Sequence, residues 1–161
     1  MSAKAFGFRI DVPVRNEWSN VDLLVMSVQN CFNAMFANVE GSQTVAMVTG
    51  ELLENAIKYG SWTRDGQHLR LSVDGGPALA RVTVENPAEE GAFAELQRTL
   101  DWAKGFPDAH TAYRARLLAI AQSADPEVSK LGIVRIAYEG NCAIRSVYEG
   151  GVVCVTAELT L

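Results

Sequence analysis

The stretch ELLENAIKYG, residues 51–60, places a carboxylate, a carboxamide and an ammonium group at positions i, i+4 and i+7. On a helix turning ~100° per residue, Glu51, Asn55 and Lys58 share an arc of roughly 60°. Val45, Val48, Leu52, Leu53, Ala56 and Ile57 occupy the broad opposite side. A surface helix showing its wet side gives this pattern with no further purpose. Glu54 and Lys58 also form an ordinary i,i+4 pair of opposite charge. The alternative is a set of three chemically different groups aimed at one ligand.

Composition narrows the setting. The chain has 161 residues, enough for one domain spanning 1–161 with a real core. With 48% hydrophobic and 20% charged residues it reads as globular. A net charge of −5 argues against non-specific nucleic-acid binding, which needs basic surface. The N-terminal MSAKAFGFRIDVPV lacks the apolar core of a signal peptide, and no apolar run approaches the ~20 residues of a membrane span. Cys31, Cys142 and Cys154 are widely spaced and form no CxxC pair, so they read as buried, reduced thiols of a cytoplasmic protein. With only His68 and His110, a transition-metal site is not expected.

The elements that must carry residues 51–60 follow from periodicity. FGFRIDVPV (6–14) alternates as a strand, with Pro13 placing it at an edge or an end. Residues 16–39 carry apolar positions at helical spacing, from Val21 through Leu24, Val28, Phe32 and Phe36. EGS at 40–42 reads as a break, Ser42 as the N-cap of the next helix, and Gly60 as its stop. Residues 68–86 form a hairpin around Asp-Gly-Gly-Pro. Helices follow over 90–104, 109–122 and about 127–138. A second hairpin turns at EGG (149–151). The order β-α-α-β-β-α-α-α-β-β predicts an α+β fold: a two-layer sandwich with a mixed, mostly antiparallel sheet and helices on one face.

The full string ELLENAIKYG resembles the N-box of the GHKL (Bergerat-fold) ATPases, the superfamily of histidine kinases, gyrase-type ATPases and anti-sigma-factor serine kinases. The match is Glu51, Leu52, Asn55, Ala56, Lys58 and Tyr59, in a helix that follows a first long helix. The resemblance implies that ATP and Mg²⁺ are the cofactors. It makes Asn55 the metal ligand, through its amide oxygen, and Glu51 the general base for an attacking hydroxyl or water. Lys58 would sit near the phosphates.

Downstream, the family's V-x-V-x-D-x-G-x-G segment corresponds to VTVENPAEEG. Asn86 stands for the adenine-binding aspartate, while Ala88 and Glu90 replace both glycines. The second glycine box, G-x-G-L-x-x-V, corresponds to SKLGIVRIAYE. Gly132, Ile133 and Ile136 match there, and Lys130 replaces the first glycine. Lys130 and Gly132 would face the phosphates. Gly150 and Gly151 match the family's closing Gly-Gly strand, with Val152 in place of its threonine.

Size and the absence of a phosphoacceptor histidine hairpin point to the anti-sigma-factor or switch-protein kinase branch. Such domains phosphorylate Ser or Thr on a small STAS-type partner or bind another regulatory protein. No nucleic acid or membrane is implied, and homodimerisation stays open. Two functional classes remain: a Mg-ATP-dependent protein kinase, or a catalytically inactive docking module of the same fold. The N-box favours the first and the altered glycine segment the second.

Overall fold

The computed structural model describes residues 6–13, 21–123 and 131–161. The elements run β1 (Phe6–Pro13), α1 (Val21–Phe36), α2 (Val39–Tyr59), β2 (His68–Gly75), β3 (Leu79–Pro87), α3 (Glu90–Lys104), α4 (Ala109–Gln122), α5 (Leu131–Glu139), β4 (Cys142–Glu149) and β5 (Val152–Thr160). The expected α+β architecture is present. The five strands form one open sheet in the order β1-β2-β3-β5-β4. Among the described residues every pairing is antiparallel, where a mixed, mostly antiparallel sheet was expected. Two hairpins are joined through β3 and β5, so no parallel crossover is required.

One face of the sheet is apolar because the strands alternate. Leu69, Leu71, Val73, Val82, Val84, Ala157 and Leu159 are almost fully buried on it. The other face carries charge across neighbouring strands. Asp11 pairs with His68 and Arg70, and Glu158 with Arg81 and Arg145. These exposed pairs keep that face in water and add little stability each.

The central helix is α2. Val45, Val48, Leu52, Leu53 and Ala56 turn inward and are buried. α1 packs along α2 and closes over the edge strand β1 through three phenylalanines. The Phe6 ring lies 6.1 Å from Phe32 and 6.0 Å from Phe36, with Phe32 and Phe36 4.9 Å apart.

The junction between α1 and α2 corrects the sequence reading. EGS is no break: Glu40, Gly41 and Ser42 lie inside the first turn of α2. The chain reverses one turn earlier, where Ala37 adopts φ 49°. Asn38, not Ser42, is the N-cap; its side chain accepts from Gly41 N at 2.9 Å. Ser42 instead donates to Val39 O at 2.7 Å. At the other end, Gly60 stops α2 in an extended conformation (φ −69°, ψ 158°) rather than a left-handed one. The Gly60 N–H donates to Ala56 O at 3.0 Å, and the Trp62 indole donates toward the Ala56 and Ile57 carbonyls at 3.3 and 3.2 Å, which helps to satisfy the last turn.

Helices α3 and α4 occupy the expected ranges. On α4, Leu117 and Leu118 are exposed, and Ala112 is its buried residue. α4 holds to α5 by ring stacking, with His110 and Tyr113 4.9 and 5.3 Å from Tyr138. The sequence readings at Val14, 16–20 and 124–130, including Lys130, lie outside the described residues. The terminal hairpin turns on Gly150 and Gly151, both at positive φ, which suits a two-residue turn between twisted strands. The three cysteines are half-buried free thiols. Burial pushes the Cys142 thiol up to about 12, and it donates to Ile136 O at 3.0 Å.

The N-cap assignment is testable. Asn38→Ala is expected to cost about 1 kcal/mol in urea unfolding, the usual loss for a cap. Ser42→Ala is expected to cost less, because its hydroxyl donates to a carbonyl within the same turn. The reverse ranking would return the cap to Ser42.

Candidate functional site

The apolar seam of α2 fixes which of its polar residues can meet another element. With Leu52, Leu53 and Ala56 on the sheet, Asn55 and Tyr59 border a cavity, and Glu51 faces α5. The cavity has a volume of about 70 Å³, several times that of one water on the same measure. Its floor is Val84 and Asn86 of β3 with Val153 and Val155 of β5. Phe93, Leu96 and Thr99 of α3 form one wall, and Gly132 and Ile133 of α5 form another. The Phe93 ring stacks on Tyr148 of β4, 5.2 Å away and 16° from parallel.

Asn86 is the polar group of the floor and is 4% exposed. Its amide nitrogen donates to Pro87 O at 3.0 Å. The next residues are tightly held. Ser61 N donates to Pro87 O, Ala88 N to Gly151 O, and the Tyr148 hydroxyl to Ala88 O. Where the family has a glycine-rich segment, this chain, as its Ala88 and Glu90 imply, has a hydrogen-bonded junction that enters α3 at Glu90.

α5 approaches α2 closely because glycine stands at each end of it. A Cβ at Gly140 would lie 2.8 Å from Val48 Cγ2. A Cβ at Gly132 would lie 2.5 Å from Glu51 Oε2 and 3.8 Å from Asn55 Nδ2. The carboxylate and the carboxamide therefore converge on one point beside Gly132. The other carboxylate oxygen, Oε1, accepts from Arg135 Nη1 at 3.0 Å. Burial pushes the Glu51 carboxyl above its ordinary value; Arg135 pulls it down and Glu54 and Glu139 push it up.

The structure thus brings Asn55, Asn86 and Gly132 to one cavity from three separate segments, with Glu51 at its border. It does not bring Lys58 there. That side chain is exposed, with its ammonium 5.2 Å from the Tyr59 ring centroid. Arg135 was not singled out in the sequence. Its partner lies 84 positions away, so no local spacing reports the pair. Among the described residues, no cluster of three or more His, Cys, Asp or Glu could hold a metal. None of the helices described is long and apolar enough to cross a membrane.

No family model matches the chain, and no curated protein matches it. Among solved structures it is similar to a chain of the crystal structure of the SiaB-SiaC complex from Pseudomonas aeruginosa. That match has a TM-score of 0.66 at 15% identity, and it covers 96% of this chain and 89% of the other. The likeness extends over nearly all of both chains and establishes a shared fold.

Gly132→Ala tests the convergence at α5. The helix tolerates alanine, so the melting temperature is expected to hold within a few degrees. The methyl group displaces the Glu51 carboxylate instead. Side-chain NMR signals of Glu51 and Asn55 should shift while those of the sheet do not. Unmoved Glu51 and Asn55 signals would show that Gly132 does not press on them.

Proposed function

We propose that this chain is a stand-alone ATP-binding regulatory domain of the GHKL type, acting as a serine/threonine protein kinase on a small STAS-type or other regulatory partner protein. The observation that carries the reading is the gathering of Asn55, Asn86 and Gly132 around one apolar cavity, with Glu51 at its edge. An apolar slot with few convergent polar groups suits a planar heterocycle. The Asn86 amide oxygen, at the floor, is an acceptor suited to the exocyclic amino group of adenine.

The donor set also fits Mg²⁺. Asn55 offers a hard amide oxygen, and Mg²⁺ typically takes one or two protein ligands while phosphates and water supply the rest. Bound there, Mg-ATP would supply the phosphoryl group and the metal's neutralisation of its charge. The chain's own task is then to orient the nucleotide through Asn86 and Asn55 and to accept a hydroxyl proton on Glu51. Raised basicity from burial suits that task, because a carboxylate at its ordinary value is a weak base near neutral pH. The fold is also the one found in a structure of a two-protein complex, which supports a protein partner for this chain. A cytoplasmic setting fits the free thiols.

A second reading has its own observation. The rigid Pro87–Ala88 junction lacks the backbone freedom of a glycine loop that closes on phosphates. It favours a catalytically inactive module that works by docking its partner.

Nucleotide titration decides between them. Wild-type protein is expected to bind ATP more tightly with Mg²⁺ than without it. Asn55→Ala should lose more than tenfold of the Mg-dependent affinity with little change in melting temperature. Glu51→Gln should keep affinity but slow phosphotransfer to a partner captured from native extract by roughly 10²–10⁴-fold, the usual general-base contribution. No nucleotide binding by wild type, with partner binding intact, would leave the docking module standing.

A further inference from the structure

Arg135 has no part in that reading, yet it makes the most connected ion pair beside the cavity. Its Nη1 donates to Glu51 Oε1 at 3.0 Å, and its Nε donates to Glu139 Oε2 at 2.8 Å. Glu139 is four residues on along the same helix, so this second pair forms locally and fixes the guanidinium plane. Arginine's rigid fork can serve two carboxylates at once, which a lysine ammonium does less selectively. The charges facing Glu51 are Arg135 and Glu139 from α5 and Glu54 from its own helix.

The pair is not needed to seat α5. Ile133 and Ile136 are buried, and the glycines at either end give the close approach to α2. The Glu51 side chain, however, is only 21% exposed. A carboxylate so placed, with no counter-charge, would turn to water or take up a proton. Its Oε1 is engaged by Arg135, while its Oε2 rests beside Gly132 on the Asn55 side.

We propose that Arg135 is the positioning residue of Glu51: the chain Glu139–Arg135–Glu51 fixes one carboxylate oxygen and turns the other to the point where Asn55 and Gly132 meet. The inference rests on the reading of Glu51 as a base and specifies what holds that base in place. Arg135 itself need not touch the reacting atoms.

The test uses the whole chain and two variants, Arg135→Met and Arg135→Lys. The Arg135 side chain is 42% exposed, so both are expected to fold, and circular dichroism melting checks this. The first readout needs no nucleotide: carbon-13 NMR follows the Glu51 carboxyl through a pH titration of the free protein. In Arg135→Met its midpoint is expected to move up, because the lowering cation is gone while burial remains. Arg135→Lys should recover part of the difference. The second readout is hydrolysis of Mg-ATP without partner. Arg135→Met should lower kcat about 10²-fold, the scale of a misplaced reacting group, with KM changed less than twofold. Its acid limb should move up in pH with the NMR midpoint. An unchanged Glu51 titration in Arg135→Met overturns the proposal. So does a raised KM with kcat intact, which would make Arg135 a nucleotide contact. If wild type hydrolyses nothing, Glu51's role as base fails, and the free-protein titration still decides whether Arg135 positions it.

Discussion

The packing of α2 on the sheet is the constraint from which the rest follows. Val45, Val48, Leu52, Leu53 and Ala56 are all 5% exposed or less, and they meet an equally buried sheet face. A buried Leu or Val contributes about 1.5–3 kcal/mol, so turning this helix would forfeit most of what holds the core. Its rotation is therefore fixed, and with it the directions of Glu51 and Asn55. The apolar seam sets the direction in which both side chains leave the helix, and the Arg135 ion pair then engages one oxygen of the Glu51 carboxylate.

On that base α5 adds the second half of the site. It brings small residues where α2 carries large ones, so the helices meet at short range. Close approach then has an electrostatic price: it half-buries Glu51 beside Glu54 and Glu139. Arg135 offsets this from the same helix that causes it. Packing and charge are thus coupled along nine residues of α5. The cavity wall and the ion pair belong to one structural unit.

Much of this was legible in the sequence, and the failures are instructive. Both hairpins and the ranges of α3 and α4 follow from turn residues and period alone. The convergence of Asn55, Asn86 and Gly132 was legible only through resemblance, since three distant segments carry no shared local signal. Asn38 was missed because its cap depends on Ala37 at positive φ, a conformation that glycine or asparagine usually announces. Lys58 looked like a site residue because it shares an arc with Glu51. An arc fixes direction but not reach: Lys58 is exposed, and its ammonium lies by the Tyr59 ring instead. α4 shows the same limit: its spacing is helical, but among the described residues Leu117 and Leu118 stay exposed.

The strand order carries a last consequence. β3 and β5 are neighbours along their full length, and Pro87 pairs with Val152, although α3, α4, α5 and β4 intervene in the chain. The floor of the cavity is thus a continuous sheet, while two of its walls belong to an excursion that leaves and returns at nearly the same place. Local unfolding follows such seams, opening contiguous segments while the rest keeps its protection. α3 to α5 can therefore exchange as one cooperative unit above an intact β1-β2-β3-β5 platform. Amide exchange in the three helices, ahead of the sheet, is where such an opening would register.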